Sequence, residues 1–278
     1  MCVVLCCCAF IRAGIFWCQI AHAFARRYFK PLAAQNVNVV SMATSRPYAK
    51  GYERYASDHP TFRLNIQGNL SSSAASKFKE HVLNSSVIDP LLPLTMFLVD
   101  DVVFTANTSF ADAPFLTFMT RSDVLALSLR LHGGVSYCYP SAQNVMQPEF
   151  LNDDTWLWLE GEGDWRYAMS VDGNVYRTAD VLPLLARLEF ENPNSLEAAM
   201  AHNTLPHPFM NLYMDAPRLI NIPANRVQDN FPNRHADSSL AAQVRSLRTN
   251  PIACLRYVSR SMKSISLVGD WTFAHCTV

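Results

Sequence analysis

The sequence predicts an α/β protein with a mostly parallel central sheet, flanking helices and a loop-rich second half. The chain has 278 residues, half of them apolar, with a formal net charge of zero, which suits a globular protein with a sizeable core. Short apolar runs alternate with amphipathic segments through the first half, as in βαβ units. The run LTMFLVDDVVF over 94–104 is apolar except for Thr95 and an acidic pair, a pattern typical of a strand buried on both faces.

Residues 1–36 form an atypical apolar segment, for which two interpretations stay open. The favoured one is a buried strand, VVLCCCAFI, followed by a helix over 15–30. The alternative is a membrane-proximal segment, but Arg12 interrupts the apolar run and is costly inside a bilayer. Five of the eight cysteines lie within the first 18 residues without zinc-site spacing, which favours a reducing compartment. We therefore expect a cytoplasmic protein, with membrane association as the alternative.

The strand–helix order continues from residue 37. Residues 37–42, VNVVSM, predict a buried strand, and 61–67, TFRLNIQ, alternate apolar and polar side chains as a strand does. Residues 71–86 begin with serine N-cap candidates and place Phe78 and Val82 on one helical face. The apolar run of 94–104 with its acidic pair follows, so the first half has the order of a parallel sheet covered by helices.

The second half contains fewer βαβ signals and more loops. Residues 121–131, RSDVLALSLRL, predict a helix with Ser122 or Asp123 near its cap. A second helix is predicted over 178–190, TADVLPLLARLEF. A third begins in NPNSLEAAMAH, with Asn194 or Ser195 as the N-cap.

Asp100 and Asp101 interrupt the central apolar run. Two adjacent carboxylates are very costly to bury ionised and unpaired, but they are tolerated where a strand ends and opens into a cleft. Open α/β sheets bind ligands at that end of their strands. A divalent cation carrying a diphosphate fits such a pair, because Mg²⁺ takes one or two carboxylates and completes its shell with phosphate oxygens and water. The alternative is an acidic pair that caps a strand end in solvent.

The motifs together resemble those of GT-A-fold, nucleotide-sugar-dependent glycosyltransferases, and more narrowly a microbial set of such proteins. The resemblance covers roughly Val37 to Arg234. Its segments are FLVDDVVF, SLRLHGGVSYCY, GDWRYAMSVDGNVYRT, FENPNSLE and NIPANRVQDNFPNR. It implies Mn²⁺ or Mg²⁺ as cofactor, a nucleotide-diphosphate sugar as donor and a carbohydrate or other hydroxyl compound as acceptor.

The resemblance also implies how the chain is divided. Residues 37–110 become a nucleotide-sugar-binding half that ends in the acidic motif, and 111–235 become an acceptor-side half. Residues 236–278 form a weakly patterned C-terminal segment. Within the acidic motif the resemblance implies that Asp101 ligates the metal, while Asp100 places the ribose or a metal-bound water.

Glu197 is the first candidate for a catalytic base. It follows Asp101 by 96 positions and lies in the NPNSLE motif, and the resemblance implies an acceptor-activating carboxylate at about this distance in enzymes that invert the sugar. Such a transfer needs a base that takes the proton of the acceptor hydroxyl. The alternative is an acidic residue in the first helical turn that only complements the helix dipole.

Asp164 is the second candidate for the base, since Trp165 and Tyr167 beside it offer aromatic faces for a sugar. Asp172 is a further substrate candidate, because its carboxylate could accept sugar hydroxyl protons. The alternative is a β-hairpin with VDGN as its turn and the tryptophans in the core. For Asp172 the turn interpretation is favoured, and for Asp164 the two stay open.

Arg130, Arg226 and Arg234 are candidate contacts for the diphosphate, because a guanidinium pairs well with phosphate oxygens. Each alone is more often a surface or structural cation. The neutral net charge argues against a nucleic-acid partner. Two functions remain: a metal-dependent glycosyltransferase, and a non-catalytic carbohydrate- or protein-binding relative with the same fold.

Overall fold

The computed structural model describes residues 2–9, 37–43, 53–54, 57–58, 62–66, 74–99, 102–152 and 154–221. The strands are β1 (Cys2–Ala9), β2 (Val37–Ala43), β3 (Phe62–Ile66), β4 (Leu94–Val99), β5 (Val102–Phe104), β6 (Val124–Ser128), β7 (Tyr137–Cys138), β8 (Gln143–Asn144), β9 (Phe150–Leu151), β10 (Thr155–Leu157), β11 (Asn174–Arg177), β12 (Phe209–Leu212) and β13 (Leu219–Asn221). The α-helices are α1 (Ala74–Leu83), α2 (Ala113–Thr120), α3 (Thr178–Arg187) and α4 (Pro193–His202), and short 3-10 turns cover Trp158–Glu160 and Gly163–Arg166.

Nine strands form one mixed sheet in the order β3-β2-β1-β4-β11-β6-β12-β10-β9. Four neighbouring pairs are parallel, namely β2–β3, β1–β2, β1–β4 and β6–β12. The other four are antiparallel, namely β4–β11, β11–β6, β12–β10 and β10–β9. The α/β class is therefore confirmed, but a mostly parallel sheet is not. The antiparallel pairings come from the second half of the chain, where strands outnumber the helices that parallel crossovers require.

β4 is the inner strand that the apolar run before the acidic pair predicts. It pairs in parallel with β1 and antiparallel with β11. Its residues from 94 to 98 are at most 2% exposed, and Val99 at its end is partly exposed. The strands predicted at 37–42 and 61–67 are confirmed as β2 and β3, and the apolar start of the chain is confirmed as β1.

The helix predicted over 121–131 is wrong, because Val124–Ser128 forms strand β6 with every residue buried. The first four residues of this run, VLAL, are apolar at consecutive positions, a pattern that fits a strand buried on both faces as well as a helix. The tertiary context decides: β6 lies between β11 and β12, where both of its faces are covered. The helix in this region is α2, earlier in the chain, with Pro114 in its first turn and Phe115 and Phe118 in the core.

Two other predicted helices are confirmed. In α1, Phe78 and Val82 lie one turn apart and are fully buried, and Phe78 meets Phe190 edge to face at 5.8 Å between ring centroids. The helix predicted over 178–190 is α3. α1 also packs against α3, so these two helices cover the same region of the sheet.

α4 is confirmed as a helix, but its cap is not the predicted one. Asn192 is the N-cap: its side chain accepts a hydrogen bond from the Ser195 amide, and the Ser195 hydroxyl accepts one from the Asn192 amide. This is a capping box in which a serine takes the usual place of a glutamate. The helix therefore begins at Pro193, one residue after the cap.

The core contains a cluster of aromatic rings around Trp156 and Trp165. The two indoles meet edge to face at 5.3 Å, and Phe150 meets Trp165 at 5.6 Å. Each indole N–H donates to a backbone carbonyl, Trp156 to Trp165 O and Trp165 to Val135 O. The rings are thus buried with their polar atoms satisfied, as stable aromatic packing requires.

The helix predicted over 15–30 lies outside the described residues. Across the ranges that the structure describes, no helix combines the length and apolar character needed to cross a bilayer.

Candidate functional site

The strand order reverses between β1 and β4, which makes this position the topological switch point of the sheet. From β1 the sheet continues to β2 and β3 on one side, and the chain then returns to place β4 on the other side of β1. In open α/β sheets, ligands bind beside the carboxyl ends of the strands at such a switch point. β6 and β12 run in the same direction as β4, whereas β11 runs in the opposite direction. The segments after β4, β6 and β12 and the segment before β11 therefore meet at one edge.

The acidic pair belongs in sequence to this edge, because it occupies the two positions between the end of β4 and the start of β5. Asp100 and Asp101 themselves, like Arg226 and Arg234, lie outside the described residues, and their roles stay predictions. β5 pairs antiparallel with β13, which places Asn221 opposite Val102, the residue that follows Asp101.

Asp172 lies in the segment before β11 and is only 3% exposed. One carboxylate oxygen accepts a hydrogen bond of 3.0 Å from the Asn221 side-chain amide. This contact joins the segment before β11 to β13, and through β13 to the strand that begins directly after the acidic pair.

The hairpin predicted around VDGN is wrong, because β11 pairs with β4 and β6 rather than with a strand that precedes the turn. VDGN is instead a bend that leads into β11. Gly173 has φ +82°, and a Cβ atom there would lie 2.3 Å from a methyl carbon of Leu219, so a glycine is required. The Gly173 amide donates to Phe97 O at 2.9 Å, and its carbonyl accepts from Leu129 N at 3.3 Å. The bend is thus fixed between β4 and the segment after β6.

Glu197 projects from α4 and holds this same segment. Its Oε1 accepts a 2.9 Å hydrogen bond from the Ser170 hydroxyl and a 3.1 Å bond from the Val171 amide. Glu197 is 3% exposed and is the fifth residue of the helix, beyond the first turn. A helix-dipole role is therefore not supported, since the dipole acts on charges in the first turn.

Asp164 forms a buried ion pair with Arg130. The distance between Arg130 Nη1 and Asp164 Oδ1 is 2.9 Å, and the two side chains are 2% and 0% exposed. Asp164 Oδ2 is also buried and has no hydrogen-bond partner in the described part of the chain. Arg130 follows β6, so the pair links the edge of the sheet to the 3-10 turn that carries Asp164.

The aromatic candidates next to Asp164 have different surroundings. Trp165 is fully buried in the aromatic cluster, which matches the alternative that placed the tryptophans in the core. Tyr167 is half-buried. Of these two aromatic rings, Tyr167 is therefore the more accessible.

Tyr176 lies within electrostatic reach of three charged groups of this edge. Burial raises the pKa of Tyr176 far above its ordinary value, Glu197 and Asp172 raise it further, and Arg130 acts in the opposite direction. The protonated hydroxyl donates to Ser170 O at 2.7 Å. It thereby supports the backbone of the segment that Glu197 also holds.

The charged side chains that are described as buried lie at this edge. They are Arg130, Asp164, Asp172 and Glu197, each at most 3% exposed. Three carboxylates and one guanidinium leave these four side chains with an excess of negative formal charge, which favours cations or hydroxyl donors as ligands. Among the residues described, no group of three or more His, Cys, Asp or Glu side chains has the arrangement of a metal site.

Two residues of this edge were not candidates in the sequence. Ser170 lies in the GDWRYAMSVDGNVYRT motif, which marked the region but not this side chain, and its partner Glu197 lies 27 positions away. Asn221 begins the NIPANR motif, which marked the region but not the side chain. Both make contacts that only the folded chain brings together.

No protein-family model matches the chain, and no curated protein matches it either. Among solved structures it is similar to S. aureus TarS 1-349, with 14% identity, 80% of this chain and 60% of that chain covered, and a TM-score of 0.47. TarS 1-349 in complex with UDP is 14% identical, with 78% of this chain and 58% of that chain covered and a TM-score of 0.45. The mannosyltransferase PcManGT from Pyrobaculum calidifontis in complex with GDP-Man and Mn²⁺ is 12% identical, with 77% of this chain and 53% of that chain covered and a TM-score of 0.39. The chain thus spans 53% to 60% of the length of these three structures.

Proposed function

We propose that this protein is a glycosyltransferase that moves a sugar from a nucleotide-diphosphate donor to a hydroxyl acceptor with the help of Mn²⁺ or Mg²⁺. One observation carries the proposal: the acidic pair follows directly on the inner strand β4, where the strand order reverses. The charged side chains that are described as buried, Arg130, Asp164, Asp172 and Glu197, lie at the same edge of the sheet. This is where a doubly wound sheet binds a nucleotide.

The acidic pair supplies the ligands that such a donor needs. A hard divalent cation takes one or two carboxylates and fills its remaining positions with phosphate oxygens and water. We assign Asp101 to the cation and Asp100 to the ribose or a metal-bound water. Arg226 is the proposed contact for the diphosphate, and Arg130 is a weaker one because its guanidinium already pairs with Asp164.

Glu197 is the proposed base. Two hydrogen bonds to its Oε1 stabilise the ionised carboxylate, which is the form that accepts a proton. In the proposed transfer, the acceptor oxygen forms a bond to the sugar carbon as the bond to the diphosphate breaks, and the hydroxyl proton goes to the carboxylate. Asp164 is the less suitable candidate, because its side chain is 0% exposed and its charge is already balanced by the Arg130 guanidinium.

Calorimetric titration with UDP and with GDP, each with and without Mn²⁺, tests the donor site. We expect Mn²⁺-dependent binding of one nucleotide by the wild type and its loss in Asp101→Ala. Asp215→Ala is the matched control, since its side chain is 69% exposed and pairs at the surface with Arg218. Unchanged affinity in Asp101→Ala would remove the metal role from that residue.

A non-catalytic carbohydrate-binding protein with this fold is the second candidate function. It is favoured by the burial of both candidate bases, Asp164 and Glu197, behind hydrogen-bonded partners. The two functions differ in turnover. Release of free nucleoside diphosphate from a sugar nucleotide, abolished in Glu197→Gln while binding persists, supports the transferase.

A further inference from the structure

The hydroxyl of Ser170 joins two carboxylate-bearing segments of the candidate site. Its Oγ lies 2.9 Å from Glu197 Oε1 and 3.0 Å from the Asp172 amide nitrogen. Ser170 is fully buried, and the Tyr176 hydroxyl donates to its carbonyl at 2.7 Å. Both the side chain and the backbone of Ser170 are therefore held in place.

The direction of each hydrogen bond follows from the chemistry of its partners. A backbone amide can only donate, so the Ser170 oxygen accepts from Asp172 N–H. The hydroxyl proton is then available for Glu197, whose ionised carboxylate can only accept. A hydrogen bond to a charged group is in general stronger than one between neutral groups.

We propose that Ser170 is a positioning residue for the base: its hydroxyl keeps Glu197 ionised and fixes its carboxylate relative to the Asp172 segment. The inference rests on the proposed function, in which Glu197 takes the acceptor proton. The Val171 amide donates to the same oxygen, Oε1, so the direction of the carboxylate is fixed by two donors from adjacent residues. Orientation of this kind lowers the reorganisation needed when the acceptor arrives.

Removal of the hydroxyl changes the protonation of Glu197 in a predictable direction. A hydrogen bond to the ionised form lowers the pKa of a carboxyl group, so its loss raises that pKa. One bond to a charged group corresponds to an upward shift of about 1 to 2 pH units in the midpoint of titration. The acidic limb of the kcat profile should move by the same amount, with little change in nucleotide affinity.

The experiment compares wild type, Ser170→Ala and Ser170→Cys. The titration of the Glu197 carboxyl is followed by NMR in protein labelled with ¹³C at the glutamate side chain, and Glu197→Gln assigns the resonance. Ser170→Cys keeps a weak donor in the same place, so its midpoint should lie between the other two. The matched control is Ser128→Ala, because Ser128 is also buried and accepts a bond from the Leu131 amide.

The expected result is a raised midpoint in Ser170→Ala and an unchanged one in Ser128→Ala. A Glu197 midpoint that does not rise in Ser170→Ala overturns the proposal, including the case in which the carboxyl stays ionised throughout. A kcat that falls equally in Ser170→Ala and Ser128→Ala, in step with their melting temperatures, overturns it as well. Absence of transfer in the wild type refutes the proposed function instead, and the NMR titration still decides whether Ser170 holds Glu197 ionised.

Discussion

The buried ion pair between Arg130 and Asp164 allows a stability test that also bears on the choice of base. At a distance of 2.9 Å, two unit charges attract by about 6 kcal/mol if the effective dielectric constant is near 20. Much of this attraction is offset by the cost of removing both charges from water. Loss of one partner is different, because it leaves the other charge buried, and such changes cost about 3 to 5 kcal/mol.

The perturbation is Asp164→Asn, which keeps the size of the side chain and removes its charge. We expect the free energy of unfolding to fall by about 3 kcal/mol or more. Urea denaturation followed by tryptophan fluorescence measures this change, and Trp165 next to the substitution is a buried reporter. A loss of this size would show that the Arg130–Asp164 pair is structural. Lost transfer in this variant would then reflect lost folding rather than a missing base.

The surface pair between Arg121 and Asp123 is the matched control. It has a similar distance, 2.8 Å, but its side chains are 28% and 47% exposed, so Asp123→Asn should cost less than about 1 kcal/mol. The reasoning is refuted if Asp164→Asn is no more destabilising than Asp123→Asn. Full stability combined with abolished transfer in Asp164→Asn would move the base to Asp164.

Three further predictions concern single residues. Gly173→Ala should lower the free energy of unfolding by about 1 to 3 kcal/mol, because φ is +82° and the new Cβ would meet Leu219; urea denaturation measures it. Asn192→Ala should cost about 1 kcal/mol by removing the cap of α4, measured in the same way. His132→Gln should flatten the acid side of the stability profile. Burial lowers the pKa of His132, and the nearby Asp215 partly opposes this shift. The neutral imidazole therefore contributes its full stabilisation above about pH 6.5, and this stabilisation is lost as the pH falls through the folded pKa.

Each of these predictions has a contrary outcome. A stable Gly173→Ala protein would mean that the bend before β11 relaxes freely. An Asn192→Ala variant as stable as wild type would show that Ser195 alone caps α4. The His132 prediction also rests on geometry, since its Nδ1 accepts a 3.0 Å bond from the Gly134 amide and cannot do so when protonated. The prediction is contradicted if the free energy of unfolding of wild type and of His132→Gln falls in parallel as the pH is lowered from 7.

The sequence predicted the strands of the first half well, because their signals are local. Short segments rich in apolar residues indicated β2 and β4 without knowledge of their neighbours. The strand β6 was predicted as a helix, since Ser122 and Asp123 imitate a cap in front of an apolar run. Only the burial of both faces of β6 between β11 and β12 decides in favour of a strand.

The candidate site was predictable in its charged residues and not in its connections. Asp172 and Glu197 were recognisable as carboxylates in motifs, but the link between them runs through Ser170, which lies in the same motif as Asp172 without being singled out by it. The contact of Asp172 with Asn221 spans 49 positions. Pairings at such separations depend on the order of strands in the sheet, which local periodicity does not determine.

Strand β11, which is antiparallel to both of its neighbours, has a consequence for local unfolding of the sheet. It links the block β3-β2-β1-β4 to the block β6-β12-β10-β9. Three residue pairs join β11 to β4, and two join it to β6. A short seam of this kind lowers the free energy needed for one block to exchange its amides independently of the other. Hydrogen exchange should therefore divide the sheet into two cooperative units that separate along β11, at the edge where Asp172 and Glu197 lie.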